Sequence, residues 1–373
     1  MRPEFTEITR RRRFAHCRTC AATSSRRSLA AAARARNTSP YVDNQRLGST
    51  SRMQIPPPAA TPWPPADAGG HLPVAAPFNL EATVRLLQRR TANRVDRWED
   101  GRYLRAFQTV AGPRLVTVVN RGTVDAPDVR IELRGGAVAD DTARDLTLAM
   151  RWMLGCDAAP APTEWLAEME PRFAAVAAAL RGFRPPCFAT LFETCASVLP
   201  FQQLSLDAGT AIVGRLVAHF APSLTVAEQS WFAFPTADAI AAAPTEALRA
   251  AGLSRAKAEA LQALARQALS GGLDPAQFQS LPTSAALAAL QALPGIGPWS
   301  AALVLLRGFG RLEVFPPGDS GAQRGLNALL NLPTPESLTD VVQRFGDYRG
   351  YLYFCGLGGS LLAKGLIHAA EPA

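Results

Sequence analysis

The residue types and spacing best suited to chemistry fall between 293 and 319, in LPGIGPWSAALVLLRGFGRLEVFPPGD. Gly295 and Gly297 flank one isoleucine between two runs of helical period, SAALAALQAL and PWSAALVLLRGFG. Glycines there permit left-handed or otherwise Cβ-forbidden backbone and leave the N–H groups of the turn unshielded. Pro298 suits the first turn of the second helix. Uncapped amides at a helix N-terminus attract an anion without any positive side chain, and a nucleic-acid phosphate fits such a place. A turn of this kind also serves merely to reverse the chain, so alone it indicates a contact and not a reaction. Asp319, 22 residues beyond Gly297, adds reactivity. Pro316, Pro317 and Gly318 stiffen the loop before it and set where its carboxylate points. A carboxylate held in this way can stabilise developing positive charge and act as general base toward water. The competing reading is a helix N-cap, since SGAQRGL starts a helix directly afterwards, although Ser320 is available for that task.

Positioning these groups falls to a helical region. From about 163 onward the apolar residues recur at helical period, with Ser, Thr, Asp or Pro at most starts and Gly near most ends. Before it, NLEATVRLLQRR has helical spacing, and YLRAFQTV, RLVTVVN and DVRIELRG alternate like half-buried strands. DDTARDLTLAMRWMLG follows as a helix with acidic residues in its first turn. The expected fold class is therefore a small α+β module over 77–156, an antiparallel sheet with helices, followed by an all-α domain over 163–373.

Residues 1–76 read as a disordered extension, Arg-rich and then Pro-rich, ending in IPPPAATPWPPADAGG. Its start fits a transit peptide, a DNA-contacting arm, or an over-extended beginning with Met53 as the true first residue. The formal charge of +8 belongs to this segment: residues 1–52 hold twelve arginines against three acidic residues, +9, and the rest of the chain nets −1. Overall charge thus says nothing of the body's partners. Of six cysteines, only Cys17 and Cys20 form a close pair, beside His16; a zinc site needs four ligands, so no zinc is expected. No apolar stretch is long enough to span a membrane, so no membrane partner is expected.

Together with NRVDRW (93–98), LRGFRPPCFATLFETC (180–195), FQQLS (201–205), GLSRAKAEAL (252–261) and DYRGYLYF (347–354), the hairpin and Asp319 resemble an established family. It is the helix–hairpin–helix/Gly-Pro-Asp superfamily of DNA glycosylases, in its DNA-3-methyladenine glycosylase II branch. The resemblance covers about 77–368. It implies that Asp319 is the catalytic carboxylate and that Trp299 lines a pocket for a flipped base. It implies that Leu293, Gly295, Gly297 and Ser300 form the hairpin that grips a phosphate, with a backbone-bound monovalent cation and no side-chain metal ligands. Gln202 and Gln203 match the wedge that fills the gap left in the stack. The implied activity is excision of 3-methyladenine- and 7-methylguanine-type bases from duplex DNA by base flipping and carboxylate-assisted hydrolysis of the N-glycosidic bond. The implied partner is double-stranded DNA with damaged bases, acted on by an intracellular monomer.

Departures from the family pattern refine this. Pro298-Trp299-Ser300 stands where bifunctional relatives carry a Schiff-base lysine, and the chain's two lysines, Lys257 and Lys364, lie elsewhere in sequence, so no lyase activity is expected. Cys355 lacks companions, so no iron–sulfur cluster is expected. Phe201 replaces the usual glycine before the glutamine pair, which puts the local backbone in question. CGLGG (355–359) stands where relatives carry a pocket aromatic, which implies a wider or less aromatic base pocket. A non-catalytic helix–hairpin–helix DNA-binding protein and a glycosylase for oxidised or mismatched bases remain the alternatives.

Overall fold

The computed structural model of the protein describes residues 70–331 and 335–368. Three strands form where side chains alternate, β3 (Arg102–Thr109), β4 (Gly112–Asn120) and β5 (Val129–Arg134), preceded by short β2 (Arg97–Glu99). The sheet is wholly antiparallel in the order β1-β5-β4-β3-β2. Its edge strand β1 is Gly70–His71, paired with Ile131 and Arg130 of β5. The fold therefore begins inside the segment expected to be disordered, and Leu72 is fully buried. The remainder of that expectation, residues 1–69 with Cys17 and Cys20, lies outside the described residues.

Alternation along β3 sends Tyr103, Arg105 and Phe107 to one face and Leu104 and Ala106 to the other. The first face meets α1 (Leu80–Gln88, capped by the Asn79 side chain) and α2 (Asp140–Met153) in a core that continues into the helical region without a break. The second face is covered by a hairpin the sequence did not reveal. Strands β6 (Ser223–Val226) and β7 (Gln229–Phe232) pair with each other, and Trp231 packs on Ala106 and Leu115. The region after 163 is thus not helical throughout. Ala227 and Glu228 turn this hairpin with φ of +50° and +62°. Asn-Gly is the usual signal for such a turn, and Ala-Glu gives none.

The helices that follow are α3 (Thr163–Met169), α4 (Ala174–Ala179), α5 (Leu191–Val198), α6 (Leu206–Phe220), α7 (Ala237–Ala242), α8 (Thr245–Ala250) and α9 (Arg255–Leu269). Then come α10 (Ala276–Gln279), α11 (Thr283–Gln291), α12 (Pro298–Gly308), α13 (Ser320–Leu330), α14 (Pro335–Arg344) and α15 (Arg349–Leu362). Helix α13, which follows Asp319, is fixed at two places. Its side packs on α15 so closely that a Cβ on Gly325 would lie 2.3 Å from the carbonyl oxygen of Gly356. At its C-terminus, Arg172 donates to the carbonyl of Leu330 at 2.5 Å while gripping Glu170 through Nε at 2.7 Å and Nη2 at 2.8 Å.

Sheet and helices are pinned together by a buried ion cluster. Arg105 of β3 donates to Asp96 at 2.6 Å and to both oxygens of Glu193 on α5 at 2.7 and 2.6 Å. Burial would by itself lower the Arg105 pKa, but Glu193 and Asp96 outweigh it and hold the guanidinium charged. Truncating one partner leaves an uncompensated buried charge, so Glu193→Ala is expected to lower stability by about 3–5 kcal/mol in urea unfolding. Glu170 gives a pH-dependent counterpart. The hydrogen bond from Arg172 holds its carboxyl at about 2 against an ordinary 4.5. A depressed carboxylate stabilises the fold fully above its unfolded value and loses that contribution as pH falls toward the folded one. Urea midpoints of Glu170→Gln should therefore fall less steeply than wild type between about pH 4.5 and 2.

Candidate active site

The hairpin forms between α11 and α12 as its glycines require, but they do different work. Gly295 has φ +74°, and a Cβ there would sit 2.8 Å from Cβ of Ala260 and 3.0 Å from Leu199. Gly297 has φ −88° and ψ −175°, extended backbone open to any residue, and a Cβ there would meet nothing. The expectation of Cβ-forbidden backbone thus holds for Gly295 alone. Gly297 is the N-cap of α12 and has no side chain to close off the first-turn amides, so that helix end faces outward uncapped. Leu293 supports the turn by accepting from the Ile296 amide at 3.2 Å.

Gln202 and Ser300 depart from their expected roles. Gln202 Nε2 donates to the Gly295 carbonyl at 2.7 Å and to Ser300 Oγ at 2.9 Å. Ser300 is buried, so its hydroxyl braces the hairpin from within. In the free protein Gln202 is a strut under the turn. A cation at the hairpin would share the carbonyls of Leu293 and Gly295, each of which already accepts one hydrogen bond and has a second lone pair. Lys257, distant in sequence, is near in space: its Nζ donates to the Gln202 carbonyl at 2.6 Å, and burial lowers its pKa. Gln203 is exposed with φ +58°, and beside it Leu204 is 45% exposed, one of three large hydrophobic side chains so exposed among the described residues. The sequence reading missed Leu204, for which the only signal was an apolar residue just before the cap of α6. Phe201 leaves the loop intact because its ring lies flat on Gly209, where a Cβ would come within 2.2 Å of it.

The carboxylate sits at the end of a loop tied down at three points. Arg311 donates to the carbonyls of Phe278, Gln279 and Leu281, Thr283 donates to Glu313 at 2.6 Å, and the Gly350 amide donates to the Leu312 carbonyl at 2.7 Å. Gly318 closes it with φ +68°. Asp319, half-buried, is then engaged through both oxygens. Oδ1 accepts from the Ala322 amide at 2.8 Å, so Asp319, not Ser320, caps α13. Oδ2 accepts from Trp299 Nε1 at 2.9 Å. The cap reading and the reactive reading are therefore compatible: the cap orients the group. The structure brings Asp319, at the start of α13, to Trp299 in the first turn of α12, beside the hairpin of Gly295, Gly297 and Ser300 that Gln202 braces from another loop.

Tyr353 of α15 is buried. Burial raises its pKa, and Asp319 contributes in the same direction, whereas Arg89 and Arg307 oppose. Arg89, from α1, donates to the Tyr353 hydroxyl. Arg307 is wholly buried, and burial pushes its pKa down to about 10, still protonated at neutral pH. The glycines of 355–359 do not widen a pocket as expected. Gly356 and Gly359 lie against α13, and Gly358 against Leu180. The four described cysteines are free and buried, with burial pushing each thiol up to about 12. Among the described residues, no group of three or more His, Cys, Asp or Glu is clustered as for a metal, and no helix is long and apolar enough to cross a membrane.

Residues 196–345 match the model of the HhH-GPD superfamily base excision DNA repair proteins. Over 176 residues the chain is 30% identical to the DNA-3-methyladenine glycosylase 2 of Escherichia coli, a match covering 47% of this chain and 59% of that protein. The chain thus spans under two thirds of that relative's length. In fold it is similar to the 3-methyladenine DNA-glycosylase of Archaeoglobus fulgidus, with a TM-score of 0.64, 22% identity, and coverage of 79% and 99% of the two chains. An 8-oxoguanine glycosylase/lyase of Clostridium acetobutylicum shares the fold at a TM-score of 0.59 and 16% identity, over 78% of this chain and 93% of that one.

The double engagement of Asp319 makes its capping role testable by itself. Asp319→Ala removes the cap and is expected to cost about 1 kcal/mol in urea unfolding, whereas Asp319→Asn keeps an acceptor and should stay within about 0.5 kcal/mol of wild type.

Proposed function

We propose that the chain, which belongs to the HhH-GPD superfamily of base excision DNA repair proteins, is a monofunctional DNA glycosylase that removes alkylated bases from duplex DNA. The observation that carries this reading is the Trp299–Asp319 hydrogen bond, which joins the uncapped helix end and the carboxylate in one rigid unit. A phosphate held by the first-turn amides of α12 and by the turn at Gly297 fixes the backbone of the damaged strand, and the hairpin carbonyls would hold a monovalent cation that adds positive charge there. The body of the chain nets −1, so affinity at the site comes from dipoles and amides more than from a basic surface.

A base inside a duplex is out of reach, and rotating its nucleotide outward costs roughly a few kcal/mol, least for damaged pairs. Exposed Gln203, with Leu204 beside it, fills the gap. The Trp299 ring is anchored by its N–H edge to Asp319, which leaves its face to stack on an electron-poor alkylated base, a contact of about 0.5–2 kcal/mol. As the C1′–N bond breaks, its electron pair leaves with the base and positive charge develops on the sugar. Asp319 stabilises that charge and accepts the proton of the attacking water. The site is expected to work without zinc or an iron–sulfur cluster. Lys257 is committed to the Gln202 carbonyl, which supports hydrolysis without a Schiff base.

On duplexes carrying 7-methylguanine, Asp319→Asn should lower single-turnover excision by about 10²- to 10⁴-fold while DNA binding, followed by fluorescence anisotropy, persists. Undiminished excision by that variant would sink the mechanism, and an inactive wild type that still binds DNA would favour the non-catalytic alternative. Borohydride should trap no covalent protein–DNA adduct.

A further inference from the structure

Gln203 is exposed at φ +58°, a left-handed conformation that a glutamine keeps only where its surroundings hold it. The peptide leading into it is held. Lys257 of α9 donates from Nζ to the Gln202 carbonyl at 2.6 Å, and it pairs with no carboxylate among the described residues. Ala260 lies three residues further along α9, on the same face, and supports the hairpin. A Cβ on Gly295 would sit 2.8 Å from the Ala260 Cβ. Between these two points the Gln202 side chain forms a bridge, donating to the Gly295 carbonyl at 2.7 Å and to Ser300 Oγ at 2.9 Å. One face of α9 thus holds the hairpin and the loop carrying Gln203 and Leu204 in a fixed relation.

Burial disfavours the charged form of Lys257, and one charge-assisted hydrogen bond to the Gln202 carbonyl offsets part of that cost. What the bond supplies is orientation: with the carbonyl fixed, the residue after it cannot relax from its left-handed backbone. We propose that Lys257 is a positioning residue for opening the duplex. By holding the Gln202–Gln203 peptide, it keeps Gln203 and Leu204 at the distance from the phosphate-holding hairpin at which they enter the stack as a base leaves it. This rests on the glycosylase reading above. Lys257 touches neither the base nor the sugar, and bond breaking stays with Asp319. Its loss therefore slows rotation of the nucleotide and, through that step alone, release of the base.

The test follows opening and release separately on the full-length protein. A duplex carries 7-methylguanine with 2-aminopurine beside it, whose fluorescence rises when a stacking neighbour leaves. Enzyme is added in stopped flow at a concentration that saturates binding by anisotropy, so the rate reports bound complexes and not the fraction folded. Lys257→Met should slow the fluorescence rise by about tenfold. Lys257→Arg, which keeps a charged donor, should restore most of it. An unchanged rise in Lys257→Met overturns the proposal, as does a Lys257→Arg rise no faster than that of Lys257→Met. A loss confined to affinity, with the salt slope of binding reduced by about one, would assign Lys257 to a phosphate and overturns it too. So does a wild type that releases 7-methylguanine with no rise. A wild type that releases no base overturns the glycosylase reading and this inference with it.

Discussion

Both oxygens of Asp319 are held, and much of the structure serves that constraint. A carboxylate that only capped α13 would need one oxygen, and one that only faced a ligand would swing on its χ angles. Here the Ala322 amide fixes one oxygen and the Trp299 indole fixes the other, so two helices agree on where the charge lies. Such an arrangement is stable only if α12 and α13 cannot drift apart. The glycines of α15 meet that condition by letting α13 approach until backbone touches backbone, and Arg172 holds the far end of α13 by its last-turn carbonyl. Preorganisation at the reacting group thus depends on contacts well removed from it.

The same logic applies to the hairpin, whose loop must be rigid although it is exposed. Its stiffness comes from a chain of side chains passing underneath: Lys257 to the Gln202 carbonyl, the Gln202 amide to Gly295 and Ser300. The N-terminal sheet joins the arrangement through Arg105, which reaches α5, and through Arg89, which reaches α15. The small α+β module is accordingly a structural partner of the helical region and shares one core with it.

What was legible in the sequence was local. Gly295, Pro298 and the Pro-Pro-Gly lead each impose a backbone constraint that acts within a few residues, and the turn before α12 and the loop ending at Asp319 form where these imply. Three of the five strands of the sheet, β3, β4 and β5, were legible by alternation. The β6–β7 hairpin was not, because Ala227 and Glu228 turn at positive φ without the glycine or asparagine that announces it. Contacts across long separations were equally silent. Gln202 meets Gly295 over 93 residues, Lys257 meets Gln202 over 55, and Arg89 meets Tyr353 over 264. Nothing in the amide of a glutamine says whether it faces solvent or a distant turn. That is why the Gln202 contact with the hairpin was silent, as was the helix packing served by the glycines at 355–359.

The placement of charge completes the argument. Excluding residues 1–52, this chain is almost neutral, yet it buries the Arg307 guanidinium against the rings of Phe188 and Phe354 and bonds Arg89 to the Tyr353 phenol. A surface cation is screened within about 10 Å at 0.1 M salt and is worth little at any one spot. A buried cation is costly to desolvate but acts over the same distance with far less screening. A protein that grips its ligand's backbone through amides can leave its surface neutral and concentrate charge where bonds change. On the proposed reading, the hairpin supplies position and Asp319 supplies negative charge for the sugar.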